Sequence, residues 1–365
     1  MRIVCVNPAD PGDASLEQLT EQWWSTAATM SAVTAGAAEH RTGPVELTVL
    51  VRTRHPEREI VVDRVRWCSV RDDTRSGWRV ARRVRALRPD VVHANGFVFP
   101  LRTLSLRLAN PRVPILLQHH GEPPARRTST ARAQRLVGRF VDGVAFTGAH
   151  HGAAEPWLVA RVLAPDTPLF EVIESVVRLP RVDRVEARSA TAITGSPVLL
   201  WVGRAEPVKD PLGAVAAFEL AAGRLPGAEL WMVSSGGSLA DSLAAAVAAS
   251  PVGKRIHVVG PFPRGELAAW YSAADVFVSS SRHEGSGYAL LEAIACGCPQ
   301  VAATDLPSHR AITGTTSGAV PGDAASLAAA ITDATSRLRS GGPPTTPPDP
   351  AGQLLDAYAD VRRRR

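Results

Sequence analysis

Short apolar segments alternate with longer amphipathic segments along most of the chain. This alternation predicts an α/β protein in which parallel strands are covered by helices. In the first half we predict a helix at residues 78–87 and strands at residues 2–7, 46–52, 91–93, 115–119 and 144–147. In the second half we predict strands at residues 198–202, 229–233, 256–259, 276–279 and 300–302, and helices at residues 212–222, 239–249, 264–273, 289–295 and 325–337.

A charged stretch at residues 178–189 interrupts this rhythm near the middle of the 365 residues. At roughly 150 residues per domain, the length favours two domains over one. We therefore predict an N-terminal Rossmann-like domain at residues 1–180 and a C-terminal Rossmann-like domain at residues 196–340, facing each other across a cleft. Residues 341–365 are predicted to form a proline-rich linker and a helical tail. Ligands of such sheets bind at the carboxyl ends of the strands.

The composition excludes several classes of protein. Hydrophobic residues make up 45% and charged residues 21% of the chain, which excludes disorder over its whole length. The sequence contains no run of about 18 apolar residues, so we expect no transmembrane helix. The four cysteines form no Cys-x-x-Cys pair, which argues against a disulfide scaffold and a cysteine-built zinc site. The apolar start of the chain is too short for a signal peptide, so we expect a cytoplasmic protein.

Charge is distributed unevenly along the chain. Residues 1–180 carry a net charge of +6, whereas residues 181–361 carry −4. The basic first half allows peripheral contact with an anionic membrane or with an anionic ligand. Only Lys209 and Lys254 are lysines among the 41 basic residues, which makes Lys209 the more informative cation. Aromatic residues are only 5% of the chain, and nucleic-acid grooves interleave basic with aromatic residues, so we expect no nucleic-acid partner.

The most informative segment, residues 279–293, begins at the end of a predicted strand, passes through a loop with two glycines and enters a predicted helix. Small residues let backbone N–H groups approach a ligand closely, and the N-terminus of a helix favours phosphate. Glu284 lies in the loop and Glu292 in the helix. A plain strand, turn and helix with a surface glutamate is the alternative interpretation. A pair of glycosidase carboxylates is disfavoured, because such pairs seldom lie so close in sequence across a loop and helix.

A second segment, residues 201–210, also follows a predicted strand. The strand ends near Gly203, and two cations, Arg204 and Lys209, follow five residues apart. A guanidinium can form paired hydrogen bonds with phosphate oxygens, and an ammonium can act as a point charge beside it. Taken alone, these cations are more often surface charges. Together with the glutamate segment at the same edge of the sheet, they predict a diphosphate-binding site.

Together these segments resemble the retaining glycosyltransferases of the GT-B fold, in the large group 1 (family 4). The hallmark of this family is two glutamates separated by seven residues within the pattern E-G-x-G-x-x-x-x-E-A-x-A-x-G-x-P, preceded by G-R-x(4)-K. The resemblance is strong over residues 198–332. The corresponding residues in this chain are Gly203, Arg204, Lys209, Glu284, Gly285, Ser286, Gly287, Glu292 and Pro299.

The resemblance implies a role for each part of this pattern. Arg204 and Lys209 would neutralise the diphosphate of a nucleotide-sugar donor. Glu284 and the backbone of residues 285–287 would hold the donor sugar, and Glu292 would bind the ribose hydroxyls. No cofactor beyond the nucleotide sugar, which is a co-substrate, is implied. No metal is expected either, since the sequence contains no Asp-x-Asp motif of the metal-dependent class.

The first half matches the family less well. Residues 90–96 look like the family's D-v-v-H-x-H segment, with Asn95 in place of the second histidine. His120 aligns with a histidine that the family places beside the transferred sugar, so we predict His120 and Glu284 as catalytic residues. Two departures are the loop at residues 10–13, which lacks the family's two adjacent glycines, and residues 174–176, Glu-Ser-Val, in place of P-N-G.

The resulting prediction is an enzyme that transfers a sugar from a nucleoside-diphosphate sugar to an acceptor with retention of configuration. The alternative is a sugar-nucleotide epimerase or an inverting transferase on the same fold. The sequence does not distinguish a lipid-linked acceptor from a soluble small molecule, and it leaves the donor sugar and its nucleobase open. The N-terminal domain is expected on the acceptor side, and association with a membrane surface is left open.

Overall fold

The strands predicted from the sequence form two separate sheets, each in its own unit. A computed structural model describes residues 1–9, 12–72, 77–176, 179–315, 318–346 and 348–365. The first unit consists of Met1–Ser175 together with Asp349–Arg365, and the second unit is Val176–Pro348. The predicted α/β class with two parallel-sheet domains is confirmed.

The first unit contains an eight-stranded sheet. Its strands are β1 (Arg2–Asn7), β2 (Glu46–Thr53), β3 (Glu59–Val62), β4 (Val65–Arg71), β5 (Val91–Asn95), β6 (Ile115–Gln118), β7 (Gly143–Phe146) and β8 (Leu169–Glu171). The order across the sheet is β3-β4-β2-β1-β5-β6-β7-β8, and every pairing is parallel except that of β3 with β4. The helices are α1 (Leu16–Gln22), α2 (Trp24–Gly36), α3 (Trp78–Leu87), α4 (Pro100–Ala109), α5 (Thr128–Gly138) and α6 (Glu155–Val159).

The second unit contains a five-stranded, fully parallel sheet. Its strands are β9 (Val198–Gly203), β10 (Glu229–Ser234), β11 (Ile256–Val259), β12 (Val276–Ser279) and β13 (Gln300–Ala303). The order across the sheet is β11-β10-β9-β12-β13. From β9 the chain adds strands first on one side, β10 and β11, and then on the other side, β12 and β13, so the strand order reverses between β9 and β12. The helices are α7 (Arg184–Thr191), α8 (Pro211–Ala222), α9 (Ala240–Ala249), α10 (Leu267–Ala273), α11 (Tyr288–Ala295), α12 (Pro307–Thr313) and α13 (Ala324–Arg339).

The reversal between β9 and β12 determines where a ligand can bind. In open parallel sheets the connections from two such neighbouring strands leave on opposite faces, which opens a crevice at the carboxyl ends of the strands. β12 is completely buried and β9 is buried over its first four residues. A parallel sheet that is covered on both faces requires such apolar strands, which is why the sequence pattern located them.

Several elements of the first unit are absent from the sequence prediction. The strands β3 and β4 form an antiparallel pair in which β3 is half exposed, so its apolar residues do not form a buried run. Helix α2 is rich in alanine, serine and threonine, so its sequence shows little contrast between an apolar and a polar face.

The C-terminal helix requires a correction to the predicted domain organisation. Residues 341–365 were predicted as one linker and tail, but the boundary between the units falls after Pro348. Helix α14 (Pro350–Arg364) belongs to the first unit, and the side chain of Asp349 caps its start by accepting a hydrogen bond from the N–H of Gly352. An apolar stripe on α14 enters the core formed with β1, β2 and α2, through Leu354, Leu355, Ala357, Tyr358 and Val361. Burial of this stripe explains why the helix packs on a unit from which it is distant in sequence.

Over the described ranges, no helix is both long enough and apolar enough to cross a membrane.

Candidate functional site

The end of β9 and the end of β12 are joined by side-chain hydrogen bonds. Trp201 Nε1 donates to Ser280 Oγ at 3.0 Å, and Ser280 Oγ donates to the backbone carbonyl of Lys209 at 2.8 Å. Arg282 adds a second link, because its Nε donates to Asp210 at 2.9 Å. These bonds hold the loop after β9 against the loop after β12, at the point where the order of the second sheet reverses.

Lys209 and Glu284 meet at this point. Lys209 Nζ forms an ion pair with Glu284 Oε2, and the two side chains are 28% and 15% exposed. Ser281 Oγ also lies 3.4 Å from the same carboxylate oxygen, and Ser308 Oγ donates to the Glu284 carbonyl at 3.0 Å. The two sequence segments that predicted a common site therefore do contribute side chains to one place.

Arg204 is directed elsewhere. Its guanidinium lies 3.0 Å from Glu206, and its side chain is 70% exposed. Glu206 is held in turn by Ser238, whose hydroxyl donates to it at 2.6 Å. Among the described contacts, Arg204 thus pairs with Glu206 rather than joining Lys209 and Glu284. Gly203 ends β9, and a Cβ at this position would lie 3.1 Å from the ring of Trp201.

The glycine loop leads directly into α11. Gly285 is half-buried, Ser286 is buried, and Gly287 precedes the first residue of the helix with φ of +65°. A Cβ at position 287 would lie 2.7 Å from Ile312 Cδ1, so both the backbone conformation and the available space favour glycine. The N-cap residue Gly287 has no side chain that could cap α11, and this end of the helix carries the positive end of the helix dipole.

Glu292 is buried rather than open to a ligand, with 4% of its surface exposed. Tyr271 Oη donates to Oε2 at 2.7 Å, and Arg264 lies 2.5 Å from Oε1. Burial raises the pKa of this carboxyl, whereas Arg264 and Tyr271 act in the opposite direction. A ribose that binds Glu292, as predicted, would therefore meet a carboxylate whose two oxygens already contact Tyr271 and Arg264.

His309 lines the same pocket as Lys209, Glu284 and Gly287, and the sequence analysis did not identify it. Its ring is buried, with Nδ1 at 2.9 Å from the carbonyl of Thr304 and Nε2 at 3.5 Å from Ser279 Oγ. Burial lowers the pKa of this ring, which therefore favours its neutral form at pH 7. No spacing or motif in the sequence points to this histidine, since only the fold brings α12 to the end of β12.

In the first unit, His120 lies in a polar cluster at the ends of β5 and β6. Its Nδ1 is 2.8 Å from Glu174 Oε1 and its Nε2 is 3.3 Å from Asn95 Oδ1. Burial alone would lower the pKa of His120, but the charge and hydrogen bond of Glu174 outweigh burial and raise it above its ordinary value. Neighbouring His119 is turned toward the carbonyl of Glu122 at 2.8 Å, consistent with a structural role.

Two further sequence predictions concern the loop at residues 10–13 and the binding of a metal ion. In the loop at residues 10–13, Asp10 and Pro11 lie outside the described residues. Within the described part of the chain, no group of three or more histidine, cysteine, aspartate or glutamate side chains is arranged to hold a metal ion.

Comparison with known proteins shows a similarity to one family of enzymes. Residues 196–337 match the sequence model of the family Glycosyl transferases group 1. D-inositol 3-phosphate glycosyltransferase 2 of Catenulispora acidiphila is 32% identical over 197 residues, 49% of this chain and 46% of that protein. The 2-deoxystreptamine N-acetyl-D-glucosaminyltransferase of Streptomyces fradiae is 32% identical over 269 residues, 68% of this chain and 63% of that protein. The solved structure "Trehalose-6-phosphate from E. coli bound with UDP-2-fluoro glucose" has a TM-score of 0.65 at 11% identity, covering 99% of this chain and 96% of that chain.

Residues 196–337 are therefore similar to the group 1 glycosyltransferases. The matched region contains Lys209, Glu284 and the glycine loop described above. The likeness to the solved structure supports the GT-B fold that the sequence resemblance implied. The chain spans about half to just under two thirds of the length of these two curated relatives.

Proposed function

We propose that the protein is a glycosyltransferase that moves a sugar from a nucleoside-diphosphate sugar to an acceptor. The observation that carries this proposal is the convergence of Lys209, Glu284 and the start of α11 at the reversal point of the second sheet. The match of residues 196–337, which include these residues, to the family model of group 1 glycosyltransferases supports it.

The chemistry of the site suits departure of a nucleoside diphosphate. Cleavage of the bond between sugar and diphosphate builds negative charge on the leaving phosphate, and fixed positive charge stabilises that change. Lys209 supplies a half-buried ammonium, and the first N–H groups of α11 supply a dipole end. Because these groups can neutralise the diphosphate, we propose a reaction that requires no metal ion and no cofactor beyond the co-substrate.

Thermal unfolding with nucleotides tests the donor site. We expect one of UDP, GDP, ADP and TDP to raise the melting temperature, and the matching monophosphate to raise it less, because the second phosphate meets Lys209. At 100 times Kd, binding adds about 2.7 kcal/mol to the free energy of unfolding. The rise should persist in EDTA. If none of the four diphosphates has an effect, the proposed donor site is wrong; if EDTA abolishes the effect, metal independence is wrong.

We further propose that transfer retains the anomeric configuration. Attack on the same face as the leaving group, with the leaving phosphate taking the proton of the acceptor, needs no protein nucleophile behind the sugar. NMR coupling constants of the anomeric proton in the product are expected to match those of the donor. An opposite configuration would favour the inverting transferase, and conversion of the nucleotide sugar without an acceptor would favour the epimerase.

For the acceptor, we propose a soluble, polyhydroxylated six-membered ring. The names of both relatives described above specify a cyclitol, D-inositol 3-phosphate in one and 2-deoxystreptamine in the other.

Peripheral membrane contact is a separate proposal. It is supported by the exposed arginines of α3, such as Arg82 and Arg85, and by the exposed Trp78, Leu101 and Leu108 on α3 and α4. We also propose that the protein is located in the cytoplasm, as expected from the sequence.

A further inference from the structure

His120 lies between two hydrogen-bond acceptors. Glu174, which is 2% exposed, contacts Nδ1 at 2.8 Å, and Asn95 Oδ1 contacts Nε2 at 3.3 Å. The amide nitrogen of Asn95, Nδ2, donates to Cys5 Sγ at 3.7 Å, and this contact orients Oδ1 toward His120. The burial of Cys5 raises the pKa of its thiol to about 12, so this sulfur stays neutral and can accept.

This arrangement favours one protonation state of the ring. A carboxylate and an amide oxygen accept hydrogen bonds, so in this arrangement both ring nitrogens of His120 act as donors. Only the imidazolium form carries a proton on both nitrogens. Gln118 Nε2 donates to the same oxygen of Glu174 at 3.1 Å, which helps to hold the carboxylate in position beside the ring.

The other groups around His120 act in the same direction. Glu122 accepts a hydrogen bond from the backbone N–H of His120 at 3.0 Å, and its charge also favours the protonated ring. His93 is buried on β5, and burial together with the charge of His120 lowers its pKa to about 4. Tyr358 of α14, whose hydroxyl lies 2.6 Å from His93 Nδ1, has a pKa raised well above its ordinary value by burial. These groups therefore favour a positive charge on His120 over one on His93.

Asn95 and Glu174 are also two positions at which the chain departs from the pattern of the family it resembles. Asn95 replaces the second histidine of D-v-v-H-x-H, and Glu174 stands at the start of the segment that replaces P-N-G. The structure shows that both replacements contact the same imidazole ring.

On the basis of the proposed function, we propose that Glu174 and Asn95 are positioning residues that keep the ring of His120 protonated at neutral pH. His120 is then a fixed cation and hydrogen-bond donor at the ends of β5 and β6, and not a general base. The Nε2 contact with Asn95 is the longer of the two, so this N–H can pass to an oxygen of a ligand bound at this end of the first sheet while Glu174 maintains the charge. A reaction in which the leaving phosphate takes the acceptor's proton requires no base at this position.

NMR titration of histidine side chains in the full-length protein tests this inference, with the His120 signal assigned by its loss in His120→Gln. We expect the wild-type ring to titrate above its ordinary value. Glu174→Gln is expected to lower its proton affinity about tenfold or more, because removal of a paired charge has an effect of this size. Asn95→Asp adds a second carboxylate and is expected to raise the proton affinity, while Glu174→Asp keeps the charge and restores most of the wild-type value.

Glu171→Gln is the matched control. Glu171 ends β8, accepts from the N–H of Gly148 and faces His150, so its neutralisation should leave the His120 titration unchanged. The inference is overturned if the wild-type ring is neutral at pH 7, or if Glu174→Gln and Asn95→Asp both leave its titration unchanged. If Glu174→Gln does not fold, the opposite shift expected from Asn95→Asp still decides the question.

The pH dependence of transfer provides the second readout. Activity that needs the imidazolium falls as pH rises through the pKa of His120, so Glu174→Gln should move this decline to lower pH. A merely structural role would lower activity without moving the decline. The NMR titration is read without any substrate. Failure of the inference and failure of the proposed function are therefore separate results.

Discussion

Lys209→Ala is expected to lower kcat/KM for sugar transfer by about 10²- to 10³-fold, the usual cost of removing one group that stabilises charge in a transition state. The substitution removes the ammonium that pairs with Glu284 and leaves that carboxylate facing the incoming diphosphate. Both the loss of attraction and the new repulsion act on the leaving group. Initial rates with the nucleotide sugar identified by thermal unfolding, together with calorimetric Kd values for the nucleoside diphosphate, measure the effect.

The chain offers a matched control, because its other lysine, Lys254, is exposed between α9 and β11. Lys254→Ala should leave both kcat/KM and Kd within a factor of two to three. The double variant Lys209→Ala/Glu284→Gln separates the two causes, since removal of the unpaired carboxylate should recover part of the lost nucleotide affinity. Equal effects of Lys209→Ala and Lys254→Ala would show that the diphosphate does not meet Lys209.

The sequence predicted the second unit well for a physical reason. Strands in the middle of a covered parallel sheet must be apolar on both faces, so β9 and β12 appear as short apolar runs. The carboxyl ends of neighbouring parallel strands lie at one edge of the sheet, so Lys209 and Glu284 were expected to come together although 75 residues separate them. The local sequence pattern and the topology of a parallel sheet were therefore sufficient to predict both the strands and the meeting of Lys209 with Glu284.

Other features of the site depend on contacts that have no signal in the local sequence. Arg264 and Tyr271 lie on a different segment from Glu292, and nothing in the spacing shows that they occupy its carboxylate. His309 is a pocket residue only because α12 packs near the end of β12. Glu174 was noticed only as a departure from a family pattern, since burial beside His120 is a property of the fold.

Helix α14 is the clearest example of a contact that the local sequence does not predict. Its burial leads to a prediction about stability. Leu354→Ala is expected to lower the free energy of unfolding of the first unit by about 2–5 kcal/mol, the usual cost of truncating a fully buried leucine. Leu354 is 0% exposed and packs into the core that includes β1 and β2, although both strands lie near the other end of the chain, at Arg2–Asn7 and Glu46–Thr53. Urea denaturation followed by hydrogen exchange of peptides from β1 and β2 measures the loss where it occurs.

Leu101→Ala is the appropriate comparison, because Leu101 also lies within a helix of the first unit but is 52% exposed. Its truncation removes the same atoms from a largely solvated site and should cost well under about 1 kcal/mol. Peptides from β9 and β12 should exchange at wild-type rates in both variants, because Leu354 belongs to the core of the first unit. If Leu354→Ala and Leu101→Ala had equal effects, α14 would not be an integral part of the first unit in solution, and the separate tail predicted from the sequence would be the better description.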